Sequence, residues 1–91
     1  MASFTWSVST PDGPVASGEA EFMVIPTTRG ELGVMAEHAA LVTVVTAGVL
    51  RVTRGGAVRS LAVGPGIVEV RDNAVRLFLS SVPREASAPS A

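Results

Sequence analysis

The sequence predicts an all-β domain of about eight to ten short strands, arranged as a sandwich or a small barrel. Three observations predict it. Valine is very frequent, with threonine, phenylalanine and isoleucine in support, and β-branched and aromatic side chains fit a pleated surface. Proline or glycine punctuates the chain every few residues. Several segments alternate apolar and polar residues with the strand period of two.

The elements follow in order. Phe4, Trp6 and Val8 alternate with Ser3, Thr5, Ser7 and Ser9, the pattern of a half-buried strand. Thr10-Pro11-Asp12-Gly13-Pro14 is a turn, because proline presets φ and glycine permits φ > 0. Val15 to Ile25 places Ala20, Phe22 and Val24 on one face and Glu19 and Glu21 on the other. Gly18 is expected to divide it or to mark a bulge. Pro26 ends the run, and Thr27-Thr28-Arg29-Gly30 reads as a loop. Val34 to Ala47 is long enough for a helix, but Val42-Thr43-Val44-Val45-Thr46 is wholly β-branched and poor in one. Ala36 to Ala39 is therefore a turn and Leu41 to Val45 a strand. The rest is a meander. Val49–Thr53 and Ala57–Val63 flank the hairpin signal Arg54-Gly55-Gly56. After the Gly64-Pro65-Gly66 bend, Ile67–Arg71 and Ala74–Leu79 flank Asp72-Asn73. Val75, Leu77 and Leu79 point inward and Arg76 outward. From Pro83 the composition shifts, so residues 1–82 form the domain and 83–91 a loose Pro/Ser/Ala tail.

Composition excludes several classes of function. Ninety-one residues allow one domain, and 47% apolar content is globular. No cysteine is present, which removes disulfide scaffolds, zinc ribbons and thiol catalysis. No lysine is present either, which removes P-loop and Schiff-base chemistry. All seven basic residues are arginine, against eight acids, and the net charge of −1 offers no field for nucleic acid. No segment reaches the ~18–20 apolar residues of a membrane span, and Met1 to Thr10 lacks a signal peptide's charge and apolar block. The chain reads as cytosolic or attached to something larger.

Chemistry-bearing residues are few. His38 is the sole histidine, and no cysteine or second histidine exists to complete a metal or catalytic set. Its expected role is structural or at an interface. Glu19 and Glu21 read as a solvated strand face. Glu31 lies between Gly30 and Gly33 in an expected loop, placed to meet a partner. Gly64-Pro65-Gly66 has neither a helix start nor a lysine behind it, so it makes no phosphate loop. Leu32, Val34, Met35 and Leu41 crowd an apolar loop region, and both core and interface stay open for them. No catalytic, cofactor or metal site emerges.

Several segments together resemble one family. They are Glu21-Phe22, Pro26, Gly30-Glu31-Leu32-Gly33-Val34-Met35-Ala36-Glu37-His38-Ala39-Ala40-Leu41, Gly48-Val49-Leu50-Arg51-Val52, and Leu61-Ala62-Val63-Gly64-Pro65-Gly66-Ile67-Val68-Glu69-Val70. In this order they resemble the epsilon subunit of rotary ATP synthases, over residues from about 4 to 82. Ala40 departs from the family's usual proline and Pro65 from its usual Gly-Gly bend. The resemblance implies a flattened β-sandwich of about ten short strands in two sheets. It implies a non-catalytic central-stalk subunit of a proton- or sodium-translocating ATP synthase, docking on the gamma subunit and the c-ring. The partner surface it implies is the run Arg29, Gly30, Glu31, Leu32, Gly33, Val34 and Met35, with His38 and Leu41 beyond it. It also implies a peripheral place on the cytoplasmic face of the bacterial plasma membrane, with no direct membrane insertion, no cofactor, and no nucleotide bound by the isolated chain. Typical members continue into a two-helix hairpin linked to inhibition of ATP hydrolysis. Here the chain stops at Ala91, so a short form that couples without inhibiting is expected. The reading from another class is a freestanding β-sandwich that binds a peptide or small ligand.

Overall fold

The computed structural model describes residues 2–82. Among them are nine strands and no helix: β1 (Phe4–Thr10), β2 (Gly13–Ala20), β3 (Phe22–Thr27), β4 (Gly30–Met35), β5 (Leu41–Val45), β6 (Gly48–Arg54), β7 (Ala57–Val63), β8 (Gly66–Arg71) and β9 (Ala74–Leu79). The tail expected at residues 83–91 lies outside the described residues.

Hydrogen bonding joins the strands in the order β2-β1-β9-β8-β5-β3-β6-β7, with β4 on the other edge of β3. β1 and β9 are parallel; all other pairs are antiparallel. β3 is shared between the two halves of this sheet. Its Phe22–Val24 end pairs with β6, while Thr27 alone reaches Val45 on β5. The sheet therefore curls over at β3, and its two halves enclose one core. Alternation supplies that core: Trp6 and Val8, Met23 and Ile25, Leu50 and Val52, Val68 and Val70, and Val75 and Leu77 are all buried. Burying each large aliphatic or aromatic side chain stabilises the fold by about 1.5–3 kcal/mol.

Glycines and αL residues close the hairpins where expected. Gly55 and Gly56 take φ of +58° and +80°, and Asp72 and Asn73 take +54° and +57°. Val75, Leu77 and Leu79 point into the core as the alternation requires. Ala36 to Ala39 lies outside the strands, and Leu41 to Val45 is a strand.

Other expectations need correction. The face assigned to Phe22 and Val24 is reversed: Met23 and Ile25 are buried, and Phe22 is exposed. The chain turns a corner at Glu21, whose amide donates to the Thr53 carbonyl (2.8 Å). That corner resets the alternation between β2 and β3. The bulge is not at Gly18. Val8 faces Ala16 and Ser9 faces Pro14, so Val15 is the extra residue. Gly18 instead makes room for Trp6, since a Cβ there would lie 3.3 Å from Trp6 Nε1. Pro26 does not end its run, because β3 continues to Thr27. The Thr27–Gly30 loop is a tight turn. Thr27 Oγ1 accepts from the Arg29 amide (3.1 Å) and donates to the Gly30 carbonyl (2.6 Å). Gly30, at φ +105°, reverses the chain directly into β4. Glu31 to Met35, expected in a loop, is thus a strand whose backbone bonds are satisfied by β3.

Candidate docking surface

The residues expected at an interface fall on the β3–β4 hairpin, the loop after it and the start of β5. Arg29 and Gly30 are exposed at the tip. Glu31 is exposed on β4 and pairs with Arg51 on β6, Oε2 to Nη1 at 3.2 Å, reaching across β3. Both side chains are about half exposed or more, so the pair contributes at most about 1 kcal/mol. Gly33 lies under the Phe22 ring, where a Cβ would meet ring carbons at 3.3 Å. Leu32 and Leu41 are half-buried against the core. Met35 is 65% exposed at the end of β4. His38 is half-buried, with Nδ1 2.7 Å from the Ala39 carbonyl oxygen.

Val34 is the exception. It is 1% exposed and belongs to the core, so it leaves the expected contact set. β4 is an edge strand with one face inward, and alternation assigns Val34 to that face. Among the described residues, no group of three or more acids or histidines could hold a metal ion.

The tip and β5 border an open cleft of about 520 Å³. Thr27, Arg29, Glu31, Leu32, Leu41 and Val42 line it, so one wall is charged and the other apolar. Val42 also belongs to a second feature, which sequence reasoning missed. On the outer face of β5, β8 and β9, Val44 pairs with Ile67 and Ile67 with Phe78. These three stand in one cross-strand row, 51%, 49% and 53% exposed. Val42, 67% exposed, begins the next row, which continues through Glu69 and Arg76. Glu69 holds Arg71 at 3.2 Å and Arg76 at 3.6 Å. The result is an apolar stripe with an ionic rim, contiguous with the cleft at the tip. On so small a domain such a stripe is a candidate contact surface. Its signal was present in Leu41-Val42-Thr43-Val44-Val45, which has hydrophobic residues on both faces of a strand. A strand with one solvated face would alternate.

Comparison with known proteins agrees with the fold. The model of the family described as ATP synthase, Delta/Epsilon chain, beta-sandwich domain matches residues 3–84. An ATP synthase epsilon chain from Desulfitobacterium hafniense is 43% identical over 75 residues, covering 82% of this chain and 57% of that one. One from Shouchella clausii is 40% identical over 84 residues, covering 92% and 63%. The chain thus spans about three fifths of the length of these relatives. A chain in a cryo-EM structure of the Euglena gracilis mitochondrial ATP synthase, OSCP/F1/c-ring, superposes with a TM-score of 0.79 at 23% identity, over 87% of this chain and 51% of that one. A chain in the Tetrahymena thermophila mitochondrial ATP synthase central stalk/c-ring gives 0.71 at 16%, over 86% and 63%.

Proposed function

The chain belongs to the ATP synthase delta/epsilon-chain β-sandwich family, and from that premise we propose that it is a non-catalytic coupling subunit of the central stalk. It docks on the gamma subunit and on the polar loops of the c-ring, and joins them into one rotor at the cytoplasmic face of a bacterial membrane. The relatives named as epsilon chains support this reading. So does the likeness of its fold to one chain of an OSCP/F1/c-ring structure and one chain of a central stalk/c-ring structure.

The observation that carries it is the stripe of Val42, Val44, Ile67 and Phe78, continuous with the charged hairpin tip. The stripe receives gamma, and the Glu31 tip meets the c-ring loops. An apolar centre contributes most of the affinity, and the rim charges set register and approach. Torque crosses such contacts because the body between them is stiff: every strand is paired, and the curled sheet closes on one core.

Single cysteines at Glu31 and at Phe78 test the assignment in the assembled complex. The Glu31 position is expected to crosslink to c-subunit loops and the Phe78 position to gamma. Crosslinks from Glu31 to gamma alone, or none from either site, would overturn it.

A further inference from the structure

The loop between β4 and β5, residues 36–40, lies outside the strand ladders. It joins the two halves of the curled sheet and carries His38, with Met35 and Leu41 at its ends. Its Glu37 takes φ +61°, a conformation that L side chains adopt rarely. The Glu37 amide donates to Asn73 Oδ1 at 2.9 Å. Asn73 sits 36 residues away in the β8–β9 turn. The other end of the same carboxamide, Nδ2, donates to the Ser3 carbonyl at 3.0 Å. The Asn73 carbonyl accepts from the Thr5 amide at 3.3 Å. One residue therefore ties together the loop, the start of β1 and the β8–β9 turn.

We infer that Asn73 is the positioning residue of the 36–40 loop, holding it against the β8–β9 turn so that His38 is presented in one arrangement between the strand-held Met35 and Leu41. The chemistry requires an acceptor and a donor on one short side chain at φ +57°. Asparagine supplies both and tolerates αL. Aspartate offers acceptors only, and glycine suits the φ but offers neither group. A loop whose amide is fixed in advance loses less conformational entropy when a partner binds.

The test uses two variants. Asn73→Gly keeps the turn and removes both bonds. Asn73→Asp keeps the acceptor for Glu37 and loses the donor to Ser3. Amide exchange followed by NMR on the free protein is expected to accelerate about two- to tenfold at Glu37 in Asn73→Gly, with the β8–β9 ladder unchanged. In Asn73→Asp the Glu37 amide keeps its protection. An unchanged Glu37 rate in Asn73→Gly overturns the inference. A second arm rests on the proposed function: binding of each variant to the purified gamma–c-ring rotor. Asn73→Gly is expected to bind about two- to tenfold more weakly and Asn73→Asp less affected. Faster exchange with unchanged rotor affinity would overturn the positioning role. Failure of the unaltered protein to bind the rotor would sink the proposed function instead, and the exchange result on the free protein would still decide whether the clasp holds the loop.

Discussion

Phe78 is the sharpest place to test the proposed docking stripe, because its ring lies on the outer face of the sheet and outside the buried core. A phenylalanine carries roughly 150–250 Å² that burial can remove from water. At 53% exposed, about 100 Å² of that remains for a partner to cover. At about 25 cal/mol per Å², covering it is worth up to about 2.5 kcal/mol. Phe78→Thr puts a β-branched, strand-favouring residue in its place and leaves part of this contact. The net loss on binding gamma is then about 1–2 kcal/mol, or roughly 5- to 30-fold in affinity. In the free protein the change costs the cross-strand contacts with Ile67 on β8 and Ser9 on β1, about 0.2–1 kcal/mol each. Calorimetry against purified gamma measures the first quantity and thermal melting the second. Val58→Thr is the control. Val58 is also over half exposed, but it lies on β7, outside the stripe. The reasoning fails if Phe78→Thr binds gamma as tightly as the unaltered protein, or if Val58→Thr weakens binding equally.

Other substitutions separate rim, backbone and core. Glu31→Ala breaks the exposed pair with Arg51 and is expected to leave the melting temperature within a few degrees. It weakens rotor assembly mildly, and the difference shrinks as salt is raised in a pull-down series. Gly66→Ala places a Cβ on the Phe78 carbonyl oxygen and 2.8 Å from Leu79 Cα, both backbone atoms that cannot step aside. It is expected to destabilise by about 1–3 kcal/mol in urea unfolding. Gly33→Ala meets only the Phe22 ring, an exposed side chain that can swing, and should cost less in the same assay. Leu77→Ala, fully buried, is expected to lose about 2–5 kcal/mol, enough to leave much of the chain unfolded at 37 °C by circular dichroism.

How much of this was legible in the sequence follows from how local each signal is. The β1 alternation, the Gly55-Gly56 and Asp72-Asn73 turns, and the inward set Val75, Leu77 and Leu79 depend on a residue and its near neighbours, and all appear as read. The order of the Gly30–Leu41 and Gly48–Val70 segments was enough to indicate the family. The facing of Phe22 was not legible, because the corner at Glu21 is set by a hydrogen bond to Thr53, 32 residues along the chain. Nor was the strand nature of Glu31 to Met35. A Gly-rich segment reads as a loop until β3 lies beside it and satisfies its amides. Leu32, Val34, Met35 and Leu41 could not be sorted into core and surface without knowing which face of β4 meets the other half of the sheet. That same pairing sends Val34 inward and Met35 out. The docking stripe lies furthest from sequence reading. Val44, Ile67 and Phe78 are separated by 23 and 11 residues, and only the register of β5, β8 and β9 sets them in one row. Local patterning carries a strand's existence and its turns. Which strands lie side by side, and so which exposed residues share a surface, depends on the free energy of the whole core closing at once.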